Sequence, residues 1–284
     1  STYLQSELFP KIEGFEFYGV EQCYYSQEFQ KLLYQDESLY KPEDLRALIG
    51  GSDKNVFLSN ELFSGHTLGM NAGNRTQIAK RLKQAFPEAE IIVLLRNQVS
   101  ILESLYSMAV YSGYHKRPEQ FLRWGNEDPR YNPYEINEHL ESFLYTALLN
   151  TYKELFPKVH VFLFEDFIKN PDKFFERIKR ELGVDFSLKI GDTNRKNQSL
   201  SKRQLTYLRK VNKAKTLLEW NSLGKRIFRQ KVWFGEKVLK GKEKFSFSPD
   251  LRTRIKDYYA EDNEFLWQFP ELKNSESFKK YYLD

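Results

Sequence analysis

The stretch Glu90-Ile-Ile-Val-Leu-Leu-Arg-Asn-Gln-Val-Ser-Ile-Leu-Glu-Ser-Leu-Tyr-Ser107 admits few folds. Ile91 to Leu95 is an apolar run of strand length, and it stops at Arg96, where a helical pattern starts at once. In an open α/β sheet, ligands bind at the carboxyl ends of the strands. An arginine at such an end, followed by the amino end of a helix, suits a phosphate. Arg96 and Ser104 are eight residues apart, and the helix carries the serine back toward the strand tip. The spacing therefore predicts a ligand phosphate held by both. The plainer alternative is an arginine closing a sheet edge through an ion pair, beside an ordinary helix serine.

The rest of the chain supplies the layers that such a strand needs. With 284 residues, there is room for one large α/β domain or two small ones. An apolar content of 40%, with 23 Phe and 18 Tyr, is enough for a substantial core. Phe15 to Gly19 and Val56 to Ser59 read as strands, and so does Val159 to Phe164. Pro42 to Ile49 reads as a helix that opens on proline and stops at Gly50-Gly51. A helix over 75–86 has Ile78, Leu82 and Ala85 on one face and basic residues on the other. Tyr134 to Phe156 is expected to be the longest helix, with Ile136, Leu140, Phe143, Ala147 and Leu148 as its buried stripe. Asp172 to Leu182 is a helix closed by Gly183. Strands alternating with helices predict an α/β fold with a central, mostly parallel sheet flanked by helices. From about Ser199 the pattern turns helical and basic, ending in a helix from Pro249 to Trp267. The reading is a single domain over 1–284, with 199–284 as a helical carboxyl-terminal extension.

Composition excludes several classes. There is no apolar run of about 18 residues, so no transmembrane helix is expected, and no secretory leader is read at Ser1. A single cysteine, Cys23, excludes an internal disulfide framework and a multi-cysteine zinc site. It fits a reducing, cytoplasmic setting. A net charge of +5 is compatible with anionic ligands, acidic polymers or membrane surfaces.

Three further segments bear on chemistry. Ser1-Thr-Tyr-Leu-Gln-Ser-Glu-Leu-Phe9 opens on two hydroxyl residues, which suit a helix N-cap. They also suit the end of a phosphate-binding loop of the form Gly-Ser/Thr-Thr, whose backbone N–H groups face phosphate oxygens. Ser59-Asn-Glu-Leu-Phe-Ser-Gly65 directly follows a predicted strand, which puts Glu61 where a general base can stand, with His66 close enough to compete. Asp192-Thr-Asn-Arg-Lys-Asn-Gln-Ser-Leu-Ser201 is a polar loop leading into a helix over 202–212. Ser199 or Ser201 would cap that helix, and Arg195 and Lys196 are within reach of an anion.

In their order along the chain, these pieces resemble the sulfotransferase family that uses 3′-phosphoadenosine 5′-phosphosulfate, in its carbohydrate-directed or bacterial branches. Leu95-Arg96-Asn97 followed by Ser104 is similar to the family's 3′-phosphate motif, although Gln98 stands where the family often has proline. Ser1-Thr2-Tyr3-Leu4 resembles the tail of its 5′-phosphosulfate loop. Phe164 to Asp172, Asn197 to Ser201 and Tyr259 to Leu266 resemble later elements. The family's loop normally carries a Lys or Arg ahead of Gly-Ser/Thr-Thr, after a first strand. The sequence starts inside that pattern, so residues upstream of Ser1 are expected to complete it.

The resemblance implies a P-loop-NTPase-like fold and sulfonate transfer from that donor to a hydroxyl-bearing acceptor, a carbohydrate among the candidates. Metal and nucleic acid have no part in it. It implies that Arg96 and Ser104 hold the 3′-phosphate, that Ser1 and Thr2 meet the 5′ end, and that Arg195 and Lys196 close over the nucleotide. Glu61 matches the glutamate base of several carbohydrate and protein sulfotransferases, while His66 mirrors the histidine base of other branches. Two other classes remain open. A nucleotide kinase would need an upstream Gly-x-x-x-x-Gly-Lys loop and an aspartate for Mg²⁺. A binding module for acidic glycans or membrane surfaces would use the basic stretch 213–244, in which Trp220, Phe228, Trp233 and Phe234 are interleaved.

Overall fold

The computed structural model describes residues 4–50, 54–65, 72–124, 137–186, 200–217, 241, 243–273 and 275–284. The chain forms two compact units, each assembled from separated segments. One comprises Ser1–Arg96, Ser142–Asn197 and Glu261–Asp284, and the other Asn97–Glu141 and Gln198–Ala260.

The first unit is built on two parallel strand pairs. Strand β1 (Phe15–Tyr18) pairs with β2 (Asn55–Leu58), and β3 (Glu90–Leu95) pairs with the strand Lys158–Leu163 in register from Glu90↔Lys158 to Leu95↔Leu163. Parallel neighbours need a crossover between them. Helices α1 (Val20–Tyr25), α2 (Gln27–Tyr34) and α3 (Pro42–Ile49) lie between β1 and β2. Helix α4 (Arg75–Ala85) lies between β2 and β3. The two-residue period of the strands puts Phe15, Phe17 and Phe57 against one core cluster, together with Ile92, Leu94 and Phe162. The segment Leu4 to Ile12, Phe164, Phe167, the helix Pro171–Leu182, Val184 and Phe186 supply the rest of that cluster. Phe9 stacks on Phe57 at 4.3 Å, and Phe174 meets Phe162 edge-on at 5.7 Å. As expected, the helix Pro171–Leu182 closes on Gly183, which adopts the left-handed conformation at φ 63°.

The second unit contains α5 (Gln98–Tyr111), a short parallel pair of Leu122–Arg123 with Glu138–His139, and the helix Lys202–Leu217. Tyr106 centres its aromatic core, 5.5 Å from the Phe121 ring and 5.4 Å from Phe245. The Asn212 amide donates to the carbonyls of Val110 and Tyr114, which satisfies the end of α5 from the facing helix. Ser201 caps the helix that follows it. Its Oγ accepts the Gln204 N–H at 3.3 Å, and the Gln204 side chain accepts the Ser201 N–H at 2.9 Å.

All named strand pairs among the described residues are parallel and accompanied by helices, so the α/β class is as expected. Two expectations fail. The long helix over 134–156 is shorter. Glu138–His139 is a strand, Leu140–Phe143 a 3₁₀ turn, and the helix, α7, covers only Tyr145–Leu155. Leu140 and Phe143 are buried all the same, so the apolar spacing recorded burial and not helix. Backbone pairing with Leu122–Arg123 accounts for the strand, and Asp262 starts the helix late by accepting the Tyr145 and Thr146 N–H groups. The second failure is the basic face of α4. Arg81 is wholly buried, donating to the carbonyls of Lys31, Leu32 and Gln35, pairing with Glu37 and lying over the Tyr40 ring at 4.6 Å.

Candidate functional site

The carboxyl ends of β2 and β3 carry the two described candidate residues of the first unit, Glu61 and Arg96. After Leu58, the Ser59 N–H donates to the Tyr18 carbonyl at 2.9 Å, which closes the pair with β1. Asn60 then caps a 3₁₀ turn over Glu61–Ser64, its side chain accepting the Leu62 N–H at 2.9 Å. Glu61 is the first residue of that turn, and its side chain faces solvent. Gln5 donates to Ser59 Oγ at 3.0 Å, so the segment starting at Leu4 reaches the same strand tip.

Cys23 sits beneath this turn. Burial pushes its thiol up to about 11, against the lowering effect of its hydrogen bond with Asn60. A thiol so placed stays protonated and packs as a small apolar group.

Arg96 is the residue immediately beyond β3. Its side chain is half-buried, with the guanidinium over the Phe164 ring at 5.0 Å. Its carbonyl accepts the Tyr145 hydroxyl at 2.6 Å. Tyr145 is buried, and burial, then the neighbouring Glu165 carboxylate, raise its hydroxyl well above the ordinary range. It is therefore a permanent donor. Tyr282 is buried as well and donates to Glu165 at 3.2 Å.

Helix α7 links the two candidates. Tyr145 at its start holds the Arg96 carbonyl, and the buried Tyr152 donates to the Phe63 carbonyl in the Glu61 turn. The two tyrosines are seven residues apart, about 10 Å along a helix axis. Arg75 adds a further tie, donating to the Ser64 carbonyl at 2.8 Å and the Ser142 carbonyl at 2.6 Å. Tyr145, Tyr152 and Arg75 were not singled out in the sequence. Their spacing, two tyrosines two turns apart, was the available signal.

Beyond the Glu61 turn, Gly65 adopts φ 96°, and a Cβ there would stand 2.9 Å from Ala72 Cβ. Ala72 is itself in the left-handed region at φ 49°. His66 follows Gly65 and lies outside the described residues, as do Ser1, Thr2, Arg195, Lys196 and most of the basic stretch 213–244.

Ser104 belongs to the second unit and is exposed on α5. Asn97 caps that helix, accepting the Ser100 N–H at 3.2 Å, and Gln98 is buried at 2% exposure. Arg96 is thus a cation at a parallel strand tip of the first unit, and Ser104 is an exposed hydroxyl on a helix of the second.

Residues 15–187 match the profile described as Sulfotransferase family. Among curated proteins, none matches the chain. A crystal structure of a sulfotransferase from Alicyclobacillus acidocaldarius is similar at 19% identity and a TM-score of 0.46, covering 82% of this chain and 70% of that one.

Proposed function

Because the chain belongs to the sulfotransferase family, we propose that it transfers a sulfonate group from 3′-phosphoadenosine 5′-phosphosulfate to a hydroxyl acceptor, a carbohydrate in the reading favoured here. The observation that carries this reading is Arg96, an arginine at the carboxyl end of a parallel strand with its backbone pinned and its guanidinium set over an aromatic ring. A bound donor supplies the activated sulfonate.

Each residue then has a separate task. Arg96, with Ser104, reads the 3′-phosphate through charge-assisted hydrogen bonds and fixes the nucleotide away from the reacting end. Ser1 and Thr2 meet the 5′ end, and Arg195 and Lys196 cover the nucleotide. Glu61 accepts the proton of the acceptor hydroxyl, and its exposure suits a base that must meet an incoming acceptor. His66 is the competing base. No metal is assigned, and the cytoplasm is the proposed compartment. No described helix is long and apolar enough to cross a membrane. The family match favours this reading over a nucleotide kinase.

The test is transfer from radiolabelled donor to a panel of neutral and acidic sugars, simple alcohols and tyrosine peptides, alongside calorimetric binding of adenosine 3′,5′-bisphosphate. Label on a sugar with tight bisphosphate binding is expected. Failure to bind the bisphosphate overturns the reading, and label on peptide alone overturns the carbohydrate assignment.

A further inference from the structure

Tyr145 is a buried side chain whose one hydrogen-bonding group is spent on the backbone of Arg96. We propose that Tyr145 is a positioning residue of the donor site. Its hydroxyl fixes the Arg96 carbonyl and thereby the direction in which the guanidinium leaves the tip of β3. The inference rests on the donor assignment above, since it concerns how sharply Arg96 discriminates a 3′-phosphate.

Three observations and one geometric argument support it. The hydroxyl-to-carbonyl distance is 2.6 Å, and the tyrosine ring is 5% exposed, so no water takes its place without a packing change. Burial and the Glu165 carboxylate both keep the hydroxyl protonated, so the bond is made at any working pH. Tyr145 is also held from outside its own helix. Its N–H donates to the Asp262 carboxylate at 2.8 Å, and that carboxylate also accepts the Thr146 N–H at 3.2 Å. Finally, the Arg96 backbone is the hinge between strand and guanidinium. A freed carbonyl there lets the side chain sample directions that miss a phosphate, and small misplacements of a positioning group are costly.

The mutation that reads this is Tyr145→Phe, which removes one oxygen and keeps the ring. The control is Tyr152→Phe on the same helix, which loses a comparable buried bond to the Phe63 carbonyl and leaves Arg96 untouched. Binding of adenosine 3′,5′-bisphosphate and of adenosine 5′-phosphate is measured by calorimetry for both variants and the wild type. In Tyr145→Phe, the preference for the bisphosphate is expected to fall about three- to tenfold, the scale of one net hydrogen bond. Tyr152→Phe should lower thermal stability to a similar extent and keep the preference. In an Arg96→Ala background, Tyr145→Phe should change the preference no further.

If Tyr145→Phe keeps the wild-type preference, or if Tyr152→Phe loses it equally, the positioning role is wrong while the donor assignment stands. If the wild type itself shows no preference, the donor assignment fails and takes this inference with it. Should Tyr145→Phe not fold, Asp262→Asn loosens the start of α7 more gently. It must then shift the preference in the same direction, and an unchanged preference in that variant overturns the inference.

Discussion

The Asp262 carboxylate accepts the backbone N–H of Tyr145 at 2.8 Å across 117 residues of sequence. A side chain from the last long helix thus supplies the N-cap that α7 lacks locally, since Leu144 has no capping atom to offer. Replacing Asp262 by Ala should cost about 1–2 kcal/mol of folding stability. Asp262→Asn, which keeps one acceptor oxygen, should cost less. Chemical denaturation of the two variants measures the difference, and equal losses would show that the capping bond is immaterial.

The same residue and Glu90 should pull acid stability in opposite directions. Burial raises the Asp262 carboxyl above its ordinary 3.8, outweighing the hydrogen bonds from Thr146 and Tyr145. The folded protein holds that proton more tightly than the unfolded chain. Its contribution is therefore present below 3.8 and lost as pH climbs through the raised value. Glu90 is held below its ordinary 4.5, chiefly by its hydrogen bond with His160, at 2.7 Å. Its contribution is present above 4.5 and lost as pH falls through the lowered value. Melting temperature followed through the acid range should fall less steeply on acidification in Glu90→Gln than in the wild type. Asp262→Asn should lose the opposing slope. Curves parallel to wild type in both variants would refute the assignment.

Arg81 should be the most costly single truncation in the first unit. Arg81→Ala takes a donor from each of three backbone carbonyls and removes a buried cation, a loss of about 3–5 kcal/mol. Its partner Glu37 is 56% exposed, so Glu37→Ala should cost under about 1 kcal/mol. Urea unfolding of both decides, and near-equal losses would mean that the ion pair and not the carbonyl network holds this corner.

Glu61→Gln should lower the rate of sulfonate transfer by about a hundredfold or more while leaving affinity for adenosine 3′,5′-bisphosphate nearly intact. Single-turnover kinetics with a saturating donor separates the two effects. A normal rate would pass the role of base to His66.

Arg96→Ala should weaken adenosine 3′,5′-bisphosphate about ten- to a hundredfold, as expected for a lost charge-assisted contact, and adenosine 5′-phosphate far less. Equal weakening of both nucleotides would remove Arg96 from the 3′-phosphate.

What the sequence made legible was local. The apolar run before Arg96, the alternation of Phe15 and Phe17, the proline at the head of α3 and the glycine after Leu182 each act within a few residues, and each sits in the element expected. The misread places answer to distant partners. Leu140 and Phe143 kept helical spacing without helix because Glu138–His139 pairs with a strand and Asp262 sets the start of α7. Arg81 looked like one more surface base because the carbonyls that hold it come from α2 and the residues just after it. The site divides in the same way. Glu61 and Arg96 could be read as residues at strand ends. The tyrosines that hold the Arg96 backbone and the turn of Glu61 could not, since a tyrosine's hydrogen-bond partner is invisible until the chain is folded.

The close approach of Gly65 to Ala72 has an evolutionary corollary. The chain leaves the Glu61 turn and returns to α4 through a neck narrower than a methyl group would allow. Whatever is spliced between those two residues enters and exits at one point. Its length can change by insertion or deletion without altering the spacing of Glu61 and Arg75. Relatives could therefore differ in this connection while the Glu61 turn and the start of α4 stay in place.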